Sequence, residues 1–145
     1  MARAILYGGI VVGTLDLLDA LIFFGLRGAA PIRICQSIAA GVLGRASYQA
    51  GLRSAALGVA LHYLIAFLIV TVFYLISRLW PVLVEHAIVS GILYGIAAYF
   101  VMNDLVIPLS ATTRGPFVLP VFINGLLIHA VGVGLPSAIF TRLYR

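Results

Sequence analysis

At 145 residues, 63% hydrophobic and 9% charged, with a mean hydropathy of +1.19, the chain is far from a soluble composition; a globular domain carries about 25% charged residues. A water-soluble fold of this size leaves too much surface exposed to hide so much apolar area. The net charge of +5 comes from arginine alone, and the arginines flank apolar runs instead of forming a basic stripe with interleaved aromatics, which excludes nucleic acid as a partner and points to the lipid bilayer.

A membrane span needs roughly 20 mostly apolar residues at 1.5 Å per residue. The first such run extends from about Ala4 to Leu26. Arg3 before it imitates a signal peptide, but Asp16 and Asp19 interrupt the run and no A-x-A site follows, so a retained span is expected. A different segment covers about residues 32–51. Its Cys35, Ile38, Ala39, Val42, Leu43 and Ala46 recur at helical spacing, with Arg33, Gln36, Ser37, Arg45 and Ser47 off that face. This pattern predicts an amphipathic helix lying in the interface plane or across the mouth of a bundle.

The second span is expected over about 54–76, ending at Ser77-Arg78. The third covers about 86–107 and ends at Pro108. The fourth covers about 118–140, with Pro120 in its first turn, where proline is tolerated. The predicted fold class is an all-α membrane protein. It is a four-transmembrane-helix bundle of one domain, with the amphipathic helix between spans one and two. Small residues recur at Gly9 and Gly13, and at Ala87, Gly91 and Gly95, a spacing that serves packing within a bundle or, alternatively, a homo-oligomer. The lone Cys35 allows no internal disulfide and no CxxC site.

Polar groups at membrane depth are costly and usually mark function. Asp16 and Asp19 lie in the first span, His62 in the second, Asn103 and Asp104 in the third, Asn124 and His129 in the fourth. If the spans alternate, helical rise puts Asp16 and His129 near the midplane, Asp19 and His62 about 5 Å from it, and Asn124 and Asp104 about 8–11 Å from it. All fall toward one face, beneath the amphipathic segment and the loop Pro108–Pro116. The sequence therefore describes an intramembrane polar pocket of Asp16, Asp19, His62, Asp104, Asn124 and His129. Gly9, Gly13 and Asp16 share a helical face, so Asp16 should point at a neighbouring helix, with Asp19 one turn on. Two adjacent carboxylates in low dielectric resist joint ionisation, and the two histidines are the natural counter-groups.

Paired Asp and His suit a proton or small-solute pathway; the same groups also suit interhelical hydrogen bonding that fixes register. A metal site is disfavoured because no HxxxH or ExxH spacing occurs. A haem between His62 and His129 is disfavoured by their unequal depths, and no cofactor is expected. The chain lacks GxSxG, Walker A and GxGxxG motifs. Arg33, Arg45, Arg53 and Arg114 are suited to anionic headgroups, or to ordinary interface anchoring.

Leu61-His62, Trp80-Pro81, Ser90-Gly91, Tyr94-Gly95, Pro108-Leu109-Ser110, Leu119-Pro120, Asn124 and His129 form a pattern similar to the YagU-like family of uncharacterised bacterial inner-membrane proteins. The resemblance covers roughly residues 60–130. The first half departs from the family, which tends to have a longer cysteine-bearing loop there. The resemblance implies an inner-membrane location with both termini cytoplasmic, and no activity. Arginines alone set no orientation: Arg3, Arg78, Arg142 and Arg145 on one face balance Arg27, Arg33, Arg45, Arg53 and Arg114 on the other.

The functional expectation is a small transporter or proton- or ion-conducting protein. The alternatives are a non-catalytic accessory or assembly subunit of a membrane complex and, third, a membrane enzyme acting on lipid.

Overall fold

The computed structural model describes residues 1–145, all helical or connecting and without strands. Four helices are long and apolar enough to cross a membrane: α1 (Ala2–Gly25), α3 (Gly51–Leu79), α5 (Ala87–Leu109) and α6 (Leu119–Tyr144). By length and composition the chain is a multi-pass membrane protein. Two short helices, α2 (Pro31–Leu43) and α4 (Val82–Glu85), lie in the connections. Both termini sit at one end with α4. The other end, the roofed side, carries α2 and the loop before α6.

Glycine sets the closest approaches. The α1 stripe receives aromatic rings of α3: a Cβ added to Gly13 would lie 2.6 Å from the Tyr63 ring, and one at Gly9 would enter the ring of Phe67. The α5 stripe receives α6 backbone. A Cβ at Gly91 would come within 2.9 Å of the Gly134 carbonyl oxygen, and one at Gly95 would collide with the carbonyl of His129. Both stripes are thus covered within the same chain. Such backbone contact suits a setting in which packing and hydrogen bonds hold helices together.

Two wide, π-helical turns interrupt the long helices, Met102–Val106 in α5 and His129–Gly134 in α6. Each lies just ahead of a proline, Pro108 and Pro136. Proline cannot donate to the carbonyl four residues back and its ring displaces that carbonyl. Those carbonyls belong to Asp104 and Gly132, inside the two wide turns, so the distortion has a local cause. The third span continues past Pro108 to Leu109 instead of ending there.

The segment between the first two long helices differs from the expected helix over 32–51. The α-helix stops at Leu43, and Gly44 turns the chain with φ +58. A 3-10 turn covers Gly44–Gln49, and Gly51, with φ +59, starts α3. The apolar face is buried only in part, with Ala39 fully buried and Cys35 and Ile38 half-buried. Gln36 and Ser47 are buried, whereas Val42 is 61% exposed. The reason is polar satisfaction of the turn. The Gln36 amide donates to the Gly51 carbonyl (3.0 Å) and to Ser54 Oγ (3.3 Å). Ser54 donates to the Ser47 carbonyl (2.6 Å), and Ser47 to the Gln36 carbonyl (2.6 Å). Gly58 lets α3 press directly on the α2 backbone at Cys35.

Because Gly95 faces α6 backbone, Gly95→Ala should cost about 1–3 kcal/mol. Gly115→Ala, where a Cβ meets nothing within 4 Å, should stay within about 0.5 kcal/mol. Reversible unfolding in mixed micelles checks both, and equal stabilities would contradict the packing described.

Candidate functional site

Three of the six pocket residues meet at one point. Asp16 on α1 lies with Oδ2 3.9 Å from His62 Nε2 on α3 and Oδ1 3.9 Å from His129 Nδ1 on α6. Neither separation is a hydrogen bond. Each imidazole nitrogen is engaged elsewhere: His62 Nε2 contacts the Gly13 carbonyl oxygen at 2.8 Å, and His129 Nδ1 the Gly125 carbonyl oxygen at 3.0 Å. A carbonyl only accepts, so these contacts place the N–H on those nitrogens. Each N–H therefore has two acceptors in reach, a backbone carbonyl it uses and a carboxylate it does not.

Local sequence explains the placement. Gly13 has no side chain to shield its carbonyl, and Tyr63, next to His62, packs over it and bonds Thr14 through its hydroxyl (2.9 Å). His129 opens the wide turn of α6 and lies edge-on to the ring of Tyr99, 5.4 Å between centroids.

Asp19 and Asn124 form a second, separate pair, with the Asn124 amide donating to Asp19 Oδ2 at 2.7 Å. Asp104 does not join the pocket. It points outward and pairs with Arg114 at 2.9 Å, both side chains more than half exposed. Its neighbour Asn103 lines the cavity instead, donating to the Tyr99 carbonyl at 3.0 Å. Of the four arginines considered for headgroups, Arg33 donates to the Tyr48 carbonyl and stands over that ring, Arg114 is held by Asp104, and Arg45 and Arg53 are exposed at the roofed end.

Asp16, His62 and His129 border a cavity with two connected parts. One part is about 300 Å³ and runs from Gly41, Ser110 and Thr112 at the roof down to Val12, Ala66 and Val133; the wider part is about 630 Å³ and opens toward Phe24, Arg33 and Tyr48. Val12, Ala66, Val70 and Val133 close its floor as a fully buried apolar layer. A second layer of Phe73, Val84, Ala87 and Ala138 lies beyond it. Tyr94 of α5 crosses to α3 between them, donating to the Ile69 carbonyl at 2.6 Å. On the terminal side the cavity ends at the first of these layers. Its roof is tied by Ala111 N–H donating to the Gly41 carbonyl at 2.8 Å.

Sequence reasoning missed Ser37, Ser110 and Tyr99 among the cavity residues. Tyr99 was open to discovery, because it lies four residues before Asn103 and so shares its helical face. Ser37 and Ser110 carried no signal, since their position depends on how the roof folds. No group of His, Cys, Asp and Glu is arranged to hold a metal ion. Comparison with protein-family models, curated proteins and solved structures finds no match to this chain.

A double-mutant cycle separates the two kinds of polar pair. Asp19→Ala with Asn124→Ala should show a stabilising coupling of about 0.5–1.7 kcal/mol. Asp104→Ala with Arg114→Ala should couple by less than about 1 kcal/mol and lose that coupling in salt. Unfolding in mixed micelles measures both, and a larger coupling for the exposed pair would contradict the assignment.

Proposed function

We propose that this chain is a small proton-linked transporter that loads at Asp16 from the roofed side. The observation that carries the reading is the carboxylate standing 3.9 Å from two imidazoles, bonded to neither, at the inner end of a one-sided cavity. A carboxylate serving only as glue would accept the N–H groups beside it, as Asp19 accepts from Asn124. Loading at Asp16 shifts the preference of the two imidazole N–H groups between their backbone carbonyls and the carboxyl group beside them. Charged and titratable groups facing the site are His62, His129, Asp19, Arg33 and Tyr99. The sealed floor favours alternating access over a continuous pore.

In this reading the long helices form a four-helix bundle in a bacterial inner membrane with cytoplasmic termini, an arrangement that the YagU-like resemblance supports. The α2 helix lies in the interface plane, with exposed Val42 and Leu43 toward lipid and Arg33, Arg45, Arg53 and Arg114 at headgroup level. Partnership is limited to the bilayer and, as alternatives, a second copy or a larger membrane complex.

The accessory-subunit reading draws support from the direct bonds Thr14–Tyr63 and Asp19–Asn124, which are register-fixing contacts. For a lipid-processing enzyme, by contrast, the cavity hydroxyls offer little. Ser37 and Ser110 donate to the carbonyls of Ile34 and Ile107 and not to an imidazole.

Proton flux in proteoliposomes tests the proposal. The native chain should dissipate an imposed pH gradient faster than empty liposomes, and Asp16→Asn should abolish the difference while unfolding like the native chain. Undiminished flux in the folded Asp16→Asn protein would overturn the reading. No native flux, with a larger complex co-purifying, would favour the accessory subunit.

A further inference from the structure

We infer that the wider part of the cavity binds an organic cation with an apolar body, its charge held by Asp16. This names a substrate class for the proposed transport cavity and so rests on that reading. Three features converge on it.

The first is charge. Two carboxylates, Asp16 and Asp19, line the cavity, and its one arginine, Arg33, is engaged by Tyr48. Neither imidazole stands at hydrogen-bond distance from Asp16. The second is satisfaction. Asp19 accepts from Asn124, but Asp16 accepts no hydrogen bond from any side chain, although a quarter of its side-chain surface is open. A carboxylate in apolar surroundings without a donor is costly, and a cation removes that cost.

The third is the wall. Across the wider part it is mostly aliphatic and aromatic, with Phe24, Ile34, Tyr99, Val121 and Ile128 among its residues. A bare metal ion needs several oxygen or nitrogen ligands, which this wall does not group together. An organic cation uses the wall: its body rests on the aliphatic side chains and its charge lies near the Tyr99 ring face and Asp16. An anionic amphiphile would meet both carboxylates. The 630 Å³ volume lies within the range of about 300–1,000 Å³ typical of small-molecule sites.

Tetraphenylphosphonium and tetraphenylborate share shape and apolarity and differ in the sign of charge. Equilibrium binding of each to the purified full chain in detergent separates charge recognition from apolar partition. The phosphonium should bind saturably and the borate only in proportion to detergent; Asp16→Asn should weaken phosphonium binding about tenfold or more. Equal binding of the two ions, or native affinity in folded Asp16→Asn, would overturn the inference. Should Asp16→Asn fail to fold, the comparison of the two ions on the native chain decides alone. Asp16-dependent proton flux without phosphonium binding overturns this inference and leaves the transport reading standing. Saturable phosphonium binding without flux supports the site and removes the transport reading.

Discussion

The competition at Asp16 organises the rest of the molecule. Two imidazole N–H groups stand between a backbone carbonyl and a carboxylate, and in this structure both are given to carbonyls. The two carbonyls are those of Gly13, on the helix that carries Asp16, and of Gly125, four residues before His129 on α6. The histidines arrive from two different helices, α3 and α6. The chemistry of this arrangement depends on low dielectric, where moving one N–H from a neutral to a charged acceptor changes the energy far more than in water.

The two halves of the protein are built differently to permit this. On the terminal side, Gly8, Gly91 and Gly134 bring helices into direct contact, and Val12, Val70 and Val133 leave no polar path between them. On the roofed side, α3 and α5 stand on opposite walls of a cavity, His62 and Ile65 facing Met102 and Val106. The two proline-induced wide turns lie at this level. They shift the helical register just where His129 must turn inward and the end of α5 must reach the roof. The α2 helix then lines the mouth, anchored through hydrogen bonds of Gln36, Ser47 and Ser54 alongside the buried Ile34, Ala39 and Ala40.

Much of this was legible in the sequence. The four long helices followed from apolar length alone; helical rise put Asp16 and His129 at one depth and His62 about 5 Å away, whereas in the structure both imidazoles lie 3.9 Å from Asp16. Azimuth was harder. Asp104 lies nine residues past Gly95, about half a turn round from the packing stripe at 100° per residue, so its outward direction could have been read; attention to depth obscured it. Which two connections roof the cavity was legible, but how they are held was not. Hydrophobic periodicity picked out one apolar face from Cys35 to Ala46, but the chain reversal at Gly44 and Gly51 demanded hydrogen-bond partners for backbone carbonyls. Gln36 and Ser47 supplied them. Local pattern does not encode a partner 11 to 18 residues away.

The central claim is a one-sided cavity ending at Asp16 above a dry floor. Cysteine accessibility tests it most directly. In a Cys35→Ala background, cysteines at Ile65, Ser110 and Val70 are exposed to a membrane-impermeant thiol reagent from each side of sealed vesicles. The account predicts that Ile65→Cys and Ser110→Cys react from the roofed side only, and that Val70→Cys reacts from neither. Labelling of Ile65→Cys from the terminal side, or of Val70→Cys from either side, would contradict it.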